Sequence, residues 1–197
     1  MTAREALVEA AKALLWERGF EGMSPRAVLA KSGVGQGSLY HHFPGKLALA
    51  ETALRETADD FCARLDEPFN PARPPLDRVR AWLTTPRDAM RGCRMGRMAA
   101  ELAIREEPIR RPVADYFAAL ERHLTAALGE AIAAGALPAG LDAAALAAAL
   151  GAMVQGGYVL ARTRQDPGQM DRATAGALSL LDAAAQSAGR PHRPQEI

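Results

Sequence analysis

Aromatic side chains are scarce: Phe, Trp and Tyr make up 5% of the 197 residues. Strands lean on aromatic and β-branched residues, and no alternating apolar and polar stretch occurs, so a sheet architecture is not expected. Alanine, the best helix former, is abundant instead. Cysteine is limited to Cys62 and Cys93, far apart and without metal-type neighbours. That spacing excludes a disulfide framework and suits a reducing cytoplasm, the expected location. The two thiols read as small core residues, with a thiol sensor as the alternative. Excess charge is also missing: 24 Lys and Arg face 23 Asp and Glu, a net charge of +1. So even a balance argues against a chain that wraps long nucleic acid by bulk charge, but it hides local asymmetry. Residues 4–18 carry charges throughout, so no secretory leader is expected. The most apolar stretch, 143–161, is interrupted by three glycines, Gln155 and Tyr158. It reads as a buried, partner-facing helix rather than a membrane span.

What is present reads as helix almost throughout, about nine in all. The first spans 2–18, with Leu7, Val8, Ala11, Leu14 and Leu15 in one apolar stripe. Gly19 suits a left-handed stop, with Phe20 folding back on Leu15. A second helix opens at Ser24-Pro25, a cap followed by a proline at the first helical position, and ends before Gly33. A third covers 36–42, Pro44-Gly45 breaks the chain, and a long fourth covers 46–65. Residues 66–75 hold four prolines and read as a loop. A fifth helix covers 76–85. A sixth covers 93–105, with Met95, Met98 and Leu102 on one face. The seventh starts around Pro108 and Pro112 and carries a stripe from Val113 to Ile132. Asp142 caps the eighth, running to about 165, and Asp166-Pro167 opens the ninth, ending near 188.

One local absence is informative. Residues 22–50 contain no Asp or Glu, although carboxylates crowd both flanks. A surface that approaches phosphates needs such a window, though one can also arise by chance. Within it, a short helix, a turn at Gly33-Val34 and a second short helix form a helix-turn-helix. Val28, Leu29, Val34, Leu39 and Phe43 can join the two helices. Gln36, Ser38, Tyr40, His41 and His42 are then left facing outward, where a groove-sized helix meets base edges and phosphates.

The run Gly33-Val34-Gly35-Gln36-Gly37-Ser38-Leu39-Tyr40-His41-His42-Phe43-Pro44-Gly45-Lys46 resembles the signature of TetR/AcrR regulators. Ala10-Ala11, Leu14-Leu15, Gly19-Phe20 and the capped second helix match the same pattern, over about the first quarter of the chain. The resemblance implies that Gln36, Gly37 and His41 face the groove, that Tyr40 and Lys46 hold phosphates, and that Ser38 can do either. Arg26, at the start of its helix, can also reach phosphate. Gly35 and Gly45 stand where the family often has hydroxyl or amide caps, which removes contacts to phosphate; Leu47 replaces a common glutamate.

Further on, Gly92-Cys93-Arg94-Met95-Gly96, Gln155-Gly156-Gly157 and Asp166-Pro167 are similar to the LmrA/YxaF-type subgroup of that family. The resemblance implies a helix-turn-helix domain at 1–46, a ligand-binding and dimerisation domain at 47–189, and a flexible tail at 190–197. It implies a homodimer built from the last two helices. There Leu146, Leu150, Met153, Val154, Leu178 and Leu181 offer more apolar face than one domain covers, and Ala147, Gly151 and Gly157 permit close approach. It also implies a pocket for a small apolar effector between the fourth and eighth helices, lined by candidates Phe61, Trp82, Met95, Met98, Leu102, Tyr116, Phe117, Leu120 and Tyr158. Methionines adapt to irregular apolar molecules, though the same residues also serve as ordinary core. The fourth helix is the expected lever.

The expected function is therefore a ligand-responsive transcriptional regulator, a repressor released from a palindromic double-stranded operator. The alternative is a helical-bundle ligand binder or enzyme without DNA binding. Enzyme signatures are missing: Gly33-Val34-Gly35-Gln36-Gly37 lacks the third glycine of a dinucleotide loop and follows a helix, not a strand. Gly45-Lys46 has Tyr40 where a phosphate loop needs glycine. No Gly-x-Ser-x-Gly occurs, and His123 has Glu121 two residues away rather than the three of a di-iron bundle. No cofactor, metal or membrane partner is expected.

Overall fold

A computed structural model describes residues 1–188 of the chain. The tail expected at 190–197 lies outside them. Among the described residues the fold is all-helical, with nine α-helices and one 3-10 turn. The chain divides into two compact units: Met1–Ala63 with Arg91–Ala118, and Arg64–Met90 with Ala119 onward. The boundary read at Lys46 therefore does not coincide with a break in packing.

The first unit holds α1 (Ala3–Gly22), α2 (Pro25–Ser32), α3 (Gln36–His42), α4 (Lys46–Ala63), α6 (Arg94–Ala99), a 3-10 turn (Leu102–Arg105) and the start of α7 (Glu107–Ala133). Thr2 and Glu5 close a reciprocal capping box at the start of α1. The Ser24 hydroxyl accepts from the Ala27 amide, with Pro25 at the first helical position. Gly33 ends α2 at φ 69°, a left-handed conformation that costs a residue without Cβ little. Leu7, Val8, Leu14, Val28, Leu39, Phe43 and Leu49 are buried together, so the three N-terminal helices and α4 share one core. Met95, Met98, Ile109 and Val113 enter the same core. Lys12 lies on the polar side of α1, 2.8 Å from Glu9 and 2.9 Å from Glu56. Burial pulls its pKa down, but hydrogen bonds to those carboxylates outweigh it and the net shift is upward.

One expectation fails in this unit, and one needs extending. The first helix leaves helical geometry at Gly19, as expected, where φ is 74°, and a further short helical stretch then runs to Gly22. The sixth helix does not run to 105. It ends at Ala99, Glu101 turns extended, and a 3-10 turn follows. Leu102 consequently leaves the Met95 and Met98 face and is 77% exposed.

The second unit contains α5 (Pro75–Thr84), the remainder of α7, α8 (Ala143–Arg164) and α9 (Gly168–Ala188). Asp142 accepts from the Ala144 and Ala145 amides and starts α8 as its sequence position predicts. Asp166 accepts from the Gly168 amide at 2.9 Å and performs the same service for α9. α8 and α9 pack along each other. At Gly157 a Cβ would stand 3.0 Å from Met170 Sδ and 3.1 Å from Ala173 Cβ, so the glycine permits the approach. Gly151 has open space instead. Arg80 ties α5 to Asp182 of α9 at 2.8 Å. By length and composition alone α8 is apolar enough to cross a membrane.

Candidate nucleic-acid interface

The interface candidates sit on three consecutive elements whose apolar sides are used up in the core. On α3 the buried residue is Leu39, and Phe43 just beyond it is buried as well. Gln36, Gly37, Tyr40 and His41 are exposed, and Ser38 is half-buried. His42 is also exposed, its ring 5.0 Å from that of His41. Arg26 is exposed on the first turn of α2 and makes no ion pair among the described residues. The N-cap of α3, Gly35, contributes no side-chain hydrogen bond.

Tyr40 and Lys46 come together. Both border a small apolar recess of about 90 Å3, whose floor includes Met23, Val28, Leu39 and Leu49. The Lys46 ammonium rests 4.2 Å from the centre of the Phe20 ring and donates to the Glu21 carbonyl at 3.5 Å. The Glu21 carboxylate is 3.9 Å away. Lys31, inside the same acid-free window, pairs with Glu17 at 3.2 Å. The flanking carboxylates thus reach two of the window's cations without lying in the window.

The two family descriptions that match divide the chain much as these elements do. Residues 7–53 match bacterial regulatory proteins of the tetR family, and residues 75–177 match the tetracyclin repressor-like C-terminal domain. The chain belongs to the TetR family. Among its curated relatives, the HTH-type transcriptional regulator LmrA of Bacillus subtilis is 29% identical over 55% of this chain and 61% of its own length. The chain thus spans less than two thirds of LmrA, but 80% of the transcriptional regulator AcuR of Cereibacter sphaeroides, at 29% identity over 84% of this chain. Among solved structures, a regulatory protein TetR from Rhodobacter sphaeroides superposes with a TM-score of 0.76 at 26% identity, over 89% of this chain and 96% of that one. Reduced Escherichia coli NemR has a TM-score of 0.80 at 23% identity, over 90% of this chain and 96% of its own, a likeness of fold. LmrA, AcuR and the Rhodobacter sphaeroides protein are named as regulators, not enzymes.

The candidate effector-lining residues are divided between the two units. Met95 and Met98 are fully buried in the first unit's core, with Tyr116 beside them. Phe61 and Phe117 pack on that core, the Phe61 and Tyr116 rings 5.6 Å apart. Trp82 and Leu120 are buried in the second unit, and Tyr158 packs there against Ala89, Ala161 and Met170. Leu102 is exposed and is not part of the first unit's buried core. Two open clefts in the second unit, of about 480 and 490 Å3, are lined by none of the candidates.

The expected dimer residues differ in how far the chain itself covers them. Leu150, Val154 and Leu181 are buried within the chain itself, while Leu146, Met153 and Leu178 are half-buried. The apolar side chains left open are Val159, Leu160 and Leu180, with Ala145, Ala148, Ala149 and Ala152 on the same stripe of α8 as Val159.

One residue that sequence reasoning placed only in a charge ladder with Arg97 and Arg105, with no role at the site, is Glu101. Its carboxylate accepts from the Phe20 amide at 2.7 Å, across 81 residues of chain. Nothing local at either position signals that contact.

Proposed function

We propose that this TetR-family chain is a DNA-binding transcriptional repressor, which reads a two-fold operator as a homodimer and is released by a small apolar effector. The observation that carries the reading is α3. Its one fully buried side chain anchors it, and Gln36, Tyr40 and His41 are open on a surface without a single carboxylate of its own. Tyr40 with Lys46 supplies a hydroxyl and an ammonium for phosphates. Gln36 and His41 supply donors and acceptors suited to base edges in the major groove. Arg26, Gly37 and Ser38 extend the surface, Gly37 by letting backbone approach closely.

A second copy joins through α8 and α9, whose open stripe is apolar and rich in small residues, and the pair sets two reading heads one helical turn apart. An apolar effector then acts only by binding better to a dimer whose heads are wrongly spaced. Phe61, Met95, Met98, Tyr116 and Phe117 form the cluster around which such a pocket would open. A regulator of this kind works in the cytoplasm. The test is an electrophoretic shift with duplexes tiled across the DNA flanking its own gene. A discrete shifted species that an apolar compound dissolves supports the repressor. Failure to shift any duplex, at low salt and micromolar protein, rejects the DNA-binding reading.

A further inference from the structure

The break of α6 and the bend of α1 meet at one carboxylate. At Gly19 the backbone leaves the helix with φ 74°, which withdraws the Phe20 amide from the helical ladder. Glu101 Oε2 accepts that amide at 2.7 Å. Its other oxygen, Oε1, fills the space a side chain at 19 would need, 1.8 Å from the position of a Cβ. The carboxylate is mostly sheltered, and Arg97 Nε lies 3.9 Å from Oε1. That nitrogen is buried and has no hydrogen-bond partner among the described residues, so Arg97 supports the carboxylate by charge at this distance. The neighbouring turn of α1 is fastened to the same segment. Trp16 Nε1 donates to the Gly92 carbonyl at 3.1 Å, and the Arg91 and Arg94 guanidinium carbons lie 3.3 and 4.0 Å from its ring centre.

What the carboxylate fixes is Phe20, and the Phe20 ring carries the Lys46 ammonium. We propose that Glu101 is a positioning residue for DNA binding: it pins the bent end of α1 and, through the Phe20 ring, sets where the Lys46 ammonium meets a DNA phosphate. This rests on the reading of Lys46 as a phosphate contact. A flexible lysine loses affinity when its mooring is removed, because the ion pair must then order it. The sign is diagnostic. Removing a carboxylate from a DNA-binding unit should by long-range charge alone tighten its hold on a polyanion. Loss of positioning weakens it.

The experiment uses the full chain and a fluorescein-labelled duplex from the DNA upstream of its own gene, with an unrelated duplex beside it. Fluorescence anisotropy across a salt series compares the parent with Glu101→Ala, Glu101→Gln, Lys46→Ala and the Glu101→Ala, Lys46→Ala double variant. Lys46→Ala should flatten the slope of log K against log salt by about 0.9 for each phosphate it no longer neutralises. Glu101→Ala should weaken both duplexes, flatten the slope in the same direction, and add nothing once Lys46 is gone. Glu101→Gln keeps an oxygen for the Phe20 amide and should fall between; it decides the matter if thermal melting shows Glu101→Ala unfolded. Should the Glu101 variants bind as tightly as the parent with an unchanged slope, or weaken additively with Lys46→Ala, the proposal is overturned. If Lys46→Ala itself changes nothing, the phosphate reading of Lys46 falls and takes this one with it.

Discussion

On α3 adjacent residues divide the work: Leu39 is 4% exposed and Tyr40 is 52% exposed. One faces the core of the three N-terminal helices, and the other has a phenol edge free to meet DNA. Tyr40→Phe keeps the ring that borders the recess beside Lys46 and removes only the hydroxyl. It should leave thermal stability unchanged and weaken operator and unrelated duplexes alike, since a phosphate contact carries no sequence information. Gln36→Ala and His41→Ala should behave differently. Each should narrow the gap between operator and unrelated duplex by roughly 1–3 kcal/mol for every bidentate base pairing it removes, measured as a ratio of dissociation constants at fixed salt. If both leave that ratio intact, α3 does not read bases. Gly19 makes the strictest residue-level demand. With φ at 74° and a carboxylate oxygen in the Cβ position, Gly19→Ala should cost roughly 1–3 kcal/mol in denaturant unfolding.

The helix starts are stated in the sequence, and the structure uses them. Ser24, Asp142 and Asp166 each accept the amides their positions predict. Asp142→Ala should therefore cost about 1 kcal/mol, read from urea unfolding. Asp166 adds a pH signature. The Gln169 side-chain amide at 2.6 Å and the Gly168 backbone amide at 2.9 Å donate to it and hold its pKa below the usual aspartate value. The folded state then binds a proton less readily than the unfolded one. The stabilisation is complete above the unfolded pKa of about 4 and drains away as pH falls through the lower folded value. Asp166→Asn should erase that part of the acid limb in melting curves, and an identical acid limb would refute the assignment. The end of α6 is not legible in this way. Residues 97–104 contain no proline or glycine, and local propensity carries the helix straight on. The break comes instead from Glu101 turning to an amide 81 residues away, a contact no local pattern encodes. Leu102 departs from its expected face for the same reason: its place on a helical stripe vanishes with the helix. The α3 surface is legible because a short helix with a single apolar anchor leaves little freedom in how it docks. The effector candidates are not, since a buried methionine looks alike in a core and in a pocket.

At the scale of the whole molecule, α8 carries an apolar stripe left open among the described residues. Its sequence is apolar nearly all round, so hydropathy alone does not say which stripe turns inward. Leu150, Val154, Gly157 and Ala161 take the inner side, leaving Ala145, Ala148, Ala149, Ala152, Val159 and Leu160 on the outer one. Leu180 of α9 is open as well, at 63%. Side chains of this kind on one element cost free energy in water, at about 25 cal/mol per Å2 of apolar surface left uncovered. Small residues along the stripe would let a partner helix approach closely, as Gly157 does between α8 and α9 within the chain. A two-fold pairing through this stripe places each residue against its own copy's surroundings, so one charged substitution acts twice. Val159→Glu combined with Leu180→Glu should leave helix content and cooperative melting intact, because both positions are exposed in the single chain. It should raise the dimer dissociation constant at least about tenfold, roughly 1.4 kcal/mol, shifting the sedimenting species from dimer to monomer. Operator binding should then lose its two-site character and retain only the weak, salt-sensitive hold of one α3. A variant that still sediments as a dimer would move the interface elsewhere and leave the outer stripe of α8 to a different occupant.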